Sequence, residues 1–219
     1  MYFPTYSLLN FYNEPDKILE FAESCTFYKE PNAGYPGVRT ECLSRINKNL
    51  FNYSCRKVIS LLYGDRDNVS FAAENSFQAI KKEDLAHTKE GWVHEDRNVL
   101  TAIIYLSKSN NRAGTSIMKP KIEFYAPDEE ITQQKKKIYS GEIKDTEIAE
   151  EAKNKNNLNY EEMMRHNSEY NSMIAFDARL AHKANFDFDD NTTRMTQIIF
   201  FHDIRAPWYP VPSLKRVVA

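Results

Sequence analysis

The sequence has no excess of basic charge. Its 219 residues carry 29 Lys and Arg against 31 Asp and Glu, which gives a formal net charge of -2. A protein that binds nucleic acid through its phosphate backbone needs a positive field at its surface. Nucleic acid is therefore not an indicated partner.

Cysteine is scarce, and its count is odd. Cys25, Cys42 and Cys55 lie far apart, and the sequence has no Cys-x-x-Cys pair. A secreted disulfide framework normally has an even number of cysteines, and zinc ribbons and thioredoxin-like couples need paired ones. We therefore expect reduced, partly buried thiols and none of these three kinds of site.

Long apolar runs are also missing. Residues 1–9 lack a basic region followed by a long apolar stretch, and no run approaches the roughly 20 residues of a membrane-spanning helix. These absences predict a soluble, cytoplasmic protein with no membrane partner.

Material for a hydrophobic core is present. Hydrophobic residues make up 42% of the chain and aromatic residues 13%. The length suits a single domain, because closed β domains often exceed the usual domain size. We expect one domain over residues 1–219, with N-terminal helices in 13–64 and a β core in 69–206.

The periodicity of apolar residues predicts a mainly β fold with flanking helices. Asn13 is predicted to cap a first helix with Pro15 in its first turn, and a second helix from about Ile46 is predicted to end near Gly64. Predicted strands cover residues 69–73, 99–106, 122–125, 172–176 and 194–201. Short strands in such a series favour an antiparallel double sheet of the jelly-roll kind.

Residues 128–167 interrupt the predicted strands. The segment is rich in Lys, Glu, Gln and Asn, and the run Lys135–Lys137 is its only dense charge cluster. We interpret it as a solvated helical insertion, in preference to a polyanion-binding patch. Because long loops often carry function, we expect it to lie across the mouth of the β core as a lid.

Three side chains form a candidate metal site. His94 and Asp96 make a His-x-Asp motif ahead of one predicted strand, and His182 precedes another. Residues two apart in a strand point to the same side, so His94 and Asp96 can converge on one ion. Two imidazoles and one carboxylate can hold Fe(II) and leave positions open for substrate and dioxygen. The alternative is a surface pair in a polar turn.

Arg194 begins the last predicted strand, twelve positions after His182, and shares a strand face with Thr196. A guanidinium matches a carboxylate bidentately, and a hydroxyl supplies a second donor. The Tyr105 hydroxyl can reach the same carboxylate from the strand before. The alternatives are a surface ion pair for Arg194 and an ordinary half-buried tyrosine for Tyr105.

Taken together, these motifs resemble the Fe(II)- and 2-oxoglutarate-dependent oxygenases, within them the prolyl-hydroxylase-like branch. The resemblance covers residues 69–202 and rests on His94–Asp96, the strand end Tyr105–Leu106, the pair Gly114–Thr115, His182 and Arg194–Thr196. The segment Tyr35–Arg39 is also similar to the opening of an uncharacterised bacterial and phage subgroup of these enzymes.

The resemblance implies a double-stranded β-helix, Fe(II) and dioxygen as cofactors, and 2-oxoglutarate as co-substrate. The implied catalytic metal ligands are His94, Asp96 and His182. The 5-carboxylate of 2-oxoglutarate would bind Arg194, helped by Tyr105 and Thr196. Oxidative decarboxylation to succinate and carbon dioxide would accompany hydroxylation of a substrate, for which a peptide or protein side chain is favoured over a small molecule.

Two departures from the family pattern bear on the pocket. The spacing from His182 to Arg194 is longer than in many relatives, so residues 186–190 must absorb the difference. Ala113–Gly114 stands in place of a double glycine, which would narrow the pocket wall.

Two other function classes fit parts of the pattern. One is a non-catalytic jelly-roll binding module, and the other is a cupin-type metalloenzyme that does not use 2-oxoglutarate. An Arg194→Ala variant with unchanged 2-oxoglutarate affinity would favour the second. The sequence specifies neither the substrate nor the oligomeric state; the insertion and the Tyr35–Arg39 turn are the segments expected to distinguish substrates.

Overall fold

The computed structural model of the protein describes residues 3–31, 33–64, 68–85, 90–108, 112–122, 129–187, 192–207 and 210. The helices are α1 (Pro15–Ser24), α2 (Leu43–Ile46), α3 (Lys48–Tyr63), α4 (Glu129–Tyr139) and α5 (Thr146–Asn157). The strands are β1 (Tyr6–Leu8), β2 (Phe27–Tyr28), β3 (Val38–Thr40), β4 (Ser70–Ile80), β5 (Leu100–Tyr105), β6 (Thr115–Pro120), β7 (Tyr160–His166), β8 (Met173–Asp177), β9 (His182–Ala184) and β10 (Arg194–Arg205).

These strands form two antiparallel sheets. The large sheet has seven strands in the order β1-β8-β5-β10-β4-β3-β2, and the small sheet has three in the order β7-β6-β9. The long strand β10 lies at the centre of the large sheet, between β5 and β4. The predicted architecture of a mainly β protein with flanking helices is confirmed.

One face of the large sheet is covered by the N-terminal helices. Apolar side chains of α1 and α3 pack there with alternate residues of β10, among them Met195, Ile199 and Phe201. Burial of this apolar surface stabilises the fold, at about 25 cal/mol per Å² removed from water. The other face of the sheet is left for the site described below.

The predicted helix boundaries are partly wrong. The first helix begins at Pro15, and Glu14 occupies its N-cap position without a side-chain cap, so Asn13 is not the cap. The second predicted helix is divided at Asn47, whose extended backbone ends α2 and whose side chain accepts a hydrogen bond from the Leu50 amide to begin α3. Its predicted end is confirmed, since Gly64 has φ 74° just after the last turn.

Four of the five predicted strands are present as parts of β4, β5, β8 and β10. Of the strand predicted at 122–125, Ile122 lies outside any strand, and residues 123–125 fall outside the described part. The segment interpreted as an insertion ends in an unpredicted strand, β7, which pairs with β6. Residues 161–165 of β7 are all exposed, so this strand shows none of the apolar alternation that would reveal it.

In the described part of the chain, none of the helices combines the length and the apolar character that crossing a bilayer requires.

Candidate functional site

The structure brings the three predicted metal ligands together. The backbones of His94 and His182 exchange two hydrogen bonds, of 3.0 and 2.8 Å, and their ring centroids lie 4.4 Å apart. Asp96 lies against both rings, with its carboxylate oxygens 3.7 Å from Nε2 of His94 and 3.5 Å from Nε2 of His182. One ligand atom from each residue falls within 4.8 Å of the others.

Both imidazoles are held in the orientation that a metal ligand needs. Nδ1 of His94 lies 2.8 Å from the Trp92 carbonyl oxygen, and Nδ1 of His182 lies 2.9 Å from that of Leu180. Because a carbonyl only accepts, each Nδ1 carries a hydrogen, which makes Nε2 the ring nitrogen that can ligate a metal. These contacts with the carbonyl oxygens orient both rings so that Nε2 faces Asp96.

The carboxylate of Asp96 is also oriented by its neighbours. The Thr101 hydroxyl donates to Oδ2 at 2.8 Å, and Asn98 donates in turn to that hydroxyl at 2.9 Å. Burial tends to raise the pKa of Asp96, but His182, His94 and the Thr101 hydroxyl outweigh it and leave that pKa below its usual value. Asp96 is therefore an ionised, preoriented ligand.

The distances and charge states of this cluster fit a divalent ion. Metal–ligand bonds of about 2.0–2.2 Å place adjacent ligands about 3 Å apart, so the three side chains would move together by roughly 1 Å to bind an ion. Desolvation, Lys135 and His182 together hold the pKa of His94 well below its ordinary value, which keeps the imidazole neutral. Two neutral imidazoles and a carboxylate are the donor set of non-haem Fe(II) oxygenases.

The sheet register places the predicted co-substrate residues on the same face of the large sheet as the metal-ligand cluster. Thr196 of β10 pairs with Tyr105 of β5 on one side and with Gln78 of β4 on the other. Directly paired residues of antiparallel strands share a face. Arg194, two positions from Thr196 on β10, shares this face.

Arg194 is buried at one end of this face without an acidic partner. Its Nε donates to the Ala113 carbonyl at 2.9 Å, and its guanidinium lies 5.6 Å from the Tyr105 ring centroid. No carboxylate of the described residues forms an ion pair with it. The Tyr105 hydroxyl bonds to Thr115 at 2.7 Å, whereas Thr196 Oγ1 is buried with no hydrogen-bond partner in the described part of the chain.

The metal cluster and Arg194 lie at opposite ends of the face. Thr101, which holds Asp96, and Tyr105, which contacts Arg194, are four residues apart on β5, a separation of about 13 Å. Side chains reach inward from both ends of this span. The space between them has the length that a five-carbon diacid requires if one end contacts a metal and the other a guanidinium.

One cavity is lined by His94, Asp96, Thr101, His182 and Arg194, and it holds about 710 Å³ of space with the solvent at its mouth included. Tyr105 and Thr196 share this face of the sheet but do not themselves line the cavity. The lining residues that sequence reasoning did not assign to the site include Arg39, Trp92, Thr115, Lys135 and Tyr139.

The helices of the predicted insertion cover the segment that carries His94. Ile131 and Ala152 pack on Trp92. Asn156 donates to the Val93 carbonyl at 2.9 Å, and the Val93 amide donates to Asn157 at 2.9 Å. The segment contains the predicted helices, and Lys135 and Tyr139 of α4 line the cavity. A lid role for the segment stays a prediction.

The interpretation of Lys135–Lys137 as a solvated run is wrong for its first member. Lys136 and Lys137 are exposed, but Lys135 is half-buried and lines the cavity. Burial lowers the pKa of Lys135 to about 8, and the charge of Asp96 only partly opposes this. A helix repeats every 3.6 residues, so neighbours in one charge run can face opposite environments.

The pair Ala113–Gly114 keeps a glycine at its second position for a structural reason. A Cβ at this position would lie 1.7 Å from the backbone oxygen of His166, so the pairing of β6 with β7 requires glycine there. Of the segment 186–190 that was to absorb the longer spacing, residues 188–190 lie outside the described part.

The chain matches a protein-family model over most of its length. A family model with the description "Family of unknown function (DUF6445)" matches residues 4–201. No curated protein sequence matches the chain.

Solved structures of similar fold include HygX from Streptomyces hygroscopicus with nickel, 2-oxoglutarate and hygromycin B bound (TM-score 0.55, 10% identity, 90% of this chain and 82% of that chain covered). An oxidoreductase of the 2OG-Fe(II) oxygenase family from Burkholderia pseudomallei is similar at TM-score 0.51, with 10% identity and 90% and 85% of the two chains covered. The epimerase SnoN from nogalamycin biosynthesis is similar at TM-score 0.53, with 12% identity and 91% and 78% covered. At such identities the likeness shows the fold.

Proposed function

We propose that this chain, which belongs to the DUF6445 family, is an Fe(II)- and 2-oxoglutarate-dependent dioxygenase that hydroxylates its substrate and releases succinate and carbon dioxide. The observation that carries the proposal is the occurrence, in one cavity, of a His94–Asp96–His182 ligand cluster and a buried guanidinium, Arg194, that has no acidic partner among the described residues. A buried unpaired cation is costly unless a ligand compensates it.

Six residues at this face of the sheet would bind the metal or the co-substrate, or support the residues that do. His94, Asp96 and His182 would hold Fe(II), which when bound activates dioxygen. Arg194 would bind the 5-carboxylate of 2-oxoglutarate bidentately, and the Thr196 hydroxyl, which has no partner among the described residues, would donate to the same group. Tyr105 packs against the guanidinium, and Lys135 and Tyr139 of α4 form part of the cavity wall.

The structural neighbours support this assignment at the level of the fold. HygX was crystallised with nickel, 2-oxoglutarate and hygromycin B, so a fold of this kind can hold a metal, the co-substrate and a small molecule. In our proposal the two sheets form the double-stranded β-helix of these enzymes, and residues 1–219 form one catalytic domain. Membership of the prolyl-hydroxylase-like branch and a peptide or protein substrate stay predictions.

Anaerobic isothermal titration calorimetry tests the proposal. Fe(II) is titrated into the metal-free protein, and 2-oxoglutarate is titrated afterwards. We expect Asp96→Ala to weaken Fe(II) binding at least 100-fold, because a charged ligand is lost. We expect Arg194→Gln to bind Fe(II) normally and 2-oxoglutarate about 100-fold more weakly, since one charge-assisted bidentate contact contributes about 3 kcal/mol.

The matched control is Arg45→Gln, which removes the same charge from an exposed pair with Glu41. It should bind both ligands like the wild type. Fe(II) binding without 2-oxoglutarate binding would instead assign the chain to metalloenzymes of the cupin type, and absence of Fe(II) binding would favour a non-catalytic binding module.

A further inference from the structure

The cavity contains more positive charge than the proposed reaction needs. Its charged lining residues are Arg39, Arg194, Lys135 and Asp96, so that three cations face one carboxylate. No described carboxylate forms an ion pair with any of the three cations. A divalent metal would add two positive charges and a 2-oxoglutarate dianion would remove two, so the excess of two positive charges remains for another ligand.

Arg39 is placed to use part of this excess. It pairs with Gln78 in the row that continues to Thr196, so it projects from the same face of the large sheet. Its guanidinium lies 3.7 Å from the Tyr35 ring centroid and 5.4 Å from that of Phe200. Phe200 pairs with Thr101, the residue that holds Asp96, so Arg39 reaches towards the metal end of the cavity.

The Arg39 guanidinium is also incompletely bonded. Its Nε is buried and has no hydrogen-bond partner in the part of the chain that the structure describes. Stacking on Tyr35 holds the plane of the group but satisfies none of its N–H donors. A planar fork of donors that is fixed by aromatic packing is well suited to a carboxylate.

The turn that precedes strand β3 fixes the position of Arg39 at the cavity. Gly37 has φ +72°, and a Cβ there would lie 2.2 Å from the Ala79 backbone oxygen, so only glycine allows this approach of the turn to β4. Arg39, two residues after Gly37, pairs with Gln78 in the large sheet.

Lys135 contributes the second cation from a different element. It projects from α4 into the same cavity, whereas its neighbour Lys136 packs its stem near Gly34 and remains exposed. Lys135 and Arg39 line the same cavity as Asp96, and the charge of Asp96 acts on both cations.

We propose that Arg39 and Lys135 form a second anion subsite, beside the metal ligands, that binds a carboxylate of the molecule to be oxidised. The substrate class is then a small organic acid rather than a neutral peptide side chain, and this inference rests on the proposed function. Arg194 is the co-substrate anchor at the far end of the cavity, and Arg39 is a specificity-determining residue for the substrate.

Binding of 4-fluorobenzoate, followed by ¹⁹F NMR, tests this subsite. The full chain is loaded with Zn(II) as an inert metal and saturated with 2-oxoglutarate, and the uncharged 4-fluorobenzamide serves as the paired probe. We expect the acid to bind and the amide to bind at least tenfold more weakly. Arg39→Gln should lower the affinity for the acid about tenfold and Lys135→Gln about fivefold, since hydrogen bonds to charged groups are among the stronger ones.

Lys136→Gln is the matched control, because it removes the same charge one position along α4 but outside the cavity. It should bind 4-fluorobenzoate like the wild type. Circular dichroism establishes that Arg39→Gln is folded, and Arg39→Lys, which keeps the charge, should recover part of the affinity.

Three results would overturn the subsite: equal binding of acid and amide, no binding of the acid by the wild type, or displacement of 2-oxoglutarate by the acid. A loss of 2-oxoglutarate affinity in Arg39→Gln as large as that in Arg194→Gln would likewise assign Arg39 to the co-substrate. If the proposed function is wrong, the 2-oxoglutarate titration itself fails. If only the subsite is wrong, that titration succeeds and the 4-fluorobenzoate titration fails.

Discussion

Buried polar side chains on the two faces of strand β10 differ in whether they have hydrogen-bond partners. On the helix-covered face, Gln197 accepts a hydrogen bond from the Tyr12 hydroxyl and donates to Asn75 at 2.9 Å and to Ser54 at 3.1 Å. On the cavity face, the adjacent Thr196 buries a hydroxyl that has no partner in the described part of the protein. One strand thus carries a completed polar network on one side and an incomplete one on the other.

Charged groups follow the same division. Asp177 is fully buried in the row that contains Leu100 and Phe201, and it accepts hydrogen bonds from the Phe3 amide at 2.8 Å and from Arg179. Arg194, on the cavity face, has no such acidic partner among the described residues. Unsatisfied buried polar groups cost stability. We infer that the polar groups on the helix-covered face stabilise the fold, whereas those on the cavity face are available to bind a ligand.

Asp177→Asn should give the largest loss of stability among the substitutions that test this comparison. Asparagine would place an N–H₂ group against donors that now face a buried carboxylate, and a buried donor left without its acceptor costs up to about 3 kcal/mol. The ion pair itself adds little, because the Arg179 side chain is half exposed. Burial tends to raise the pKa of Asp177, but the hydrogen bonds from Arg179 and the Phe3 amide outweigh it and leave that pKa below its usual value. The free energy of unfolding in urea, measured against pH, is the readout.

The sign of the pH dependence follows from the lowered pKa. The ionised carboxylate stabilises the fold fully above the unfolded-state pKa of about 3.9, and this contribution is lost as the pH falls through the lower folded-state pKa. The difference between wild type and Asp177→Asn should therefore be full at neutral pH and shrink below about pH 4. Asp203→Asn, in an exposed pair with Arg205, should change stability by less than about 0.5 kcal/mol. A difference that does not vary with pH would contradict this account of Asp177.

Gln197→Leu should have the next largest effect. The apolar side chain removes the acceptor of the Tyr12 hydroxyl and the donor to Asn75 Oδ1, both of which are buried, and this costs about 2 kcal/mol. Because Gln197 faces away from the cavity, the affinities for Fe(II) and 2-oxoglutarate should stay unchanged. Urea unfolding and the two calorimetric titrations measure both quantities. A fall in 2-oxoglutarate affinity as large as the fall in stability would show that the two faces are not separate.

The sequence predicts this division because it depends on a local period. Alternation along a strand assigns Arg194 and Thr196 to one face and Gln197 to the other, whatever the rest of the fold does. The spacing of His94 and Asp96 predicts their convergence in the same way. The presence of His182 beside them depends on strand pairing, which the sequence indicates only through the family resemblance.

The sequence indicates the Tyr35–Arg39 turn and the insertion as segments that distinguish substrates, but it does not single out the residues whose role depends on contacts distant in sequence. Arg39 and Lys135 come from β3 and α4 and face one cavity, although 96 positions separate them in the numbering. No local pattern distinguishes Lys135 from the exposed Lys136. Strand β7 was missed for a related reason: it is an exposed edge strand with no buried face to impose an alternation.

Thr196→Val should have the smallest effect and is the sharpest test of the comparison, because Thr196 and Gln197 are neighbours on one strand. Valine keeps the shape of threonine and removes a hydroxyl that bonds to no described group, so stability should stay within about 1 kcal/mol of the wild type or rise. The 2-oxoglutarate affinity should fall about threefold, since one neutral hydrogen bond to the 5-carboxylate is lost. Urea unfolding and calorimetry on the Fe(II)-loaded protein give the two numbers. If Thr196→Val instead loses as much stability as Gln197→Leu and binds 2-oxoglutarate normally, the Thr196 hydroxyl serves the fold, and an unsatisfied group on the cavity face does not mark a ligand contact.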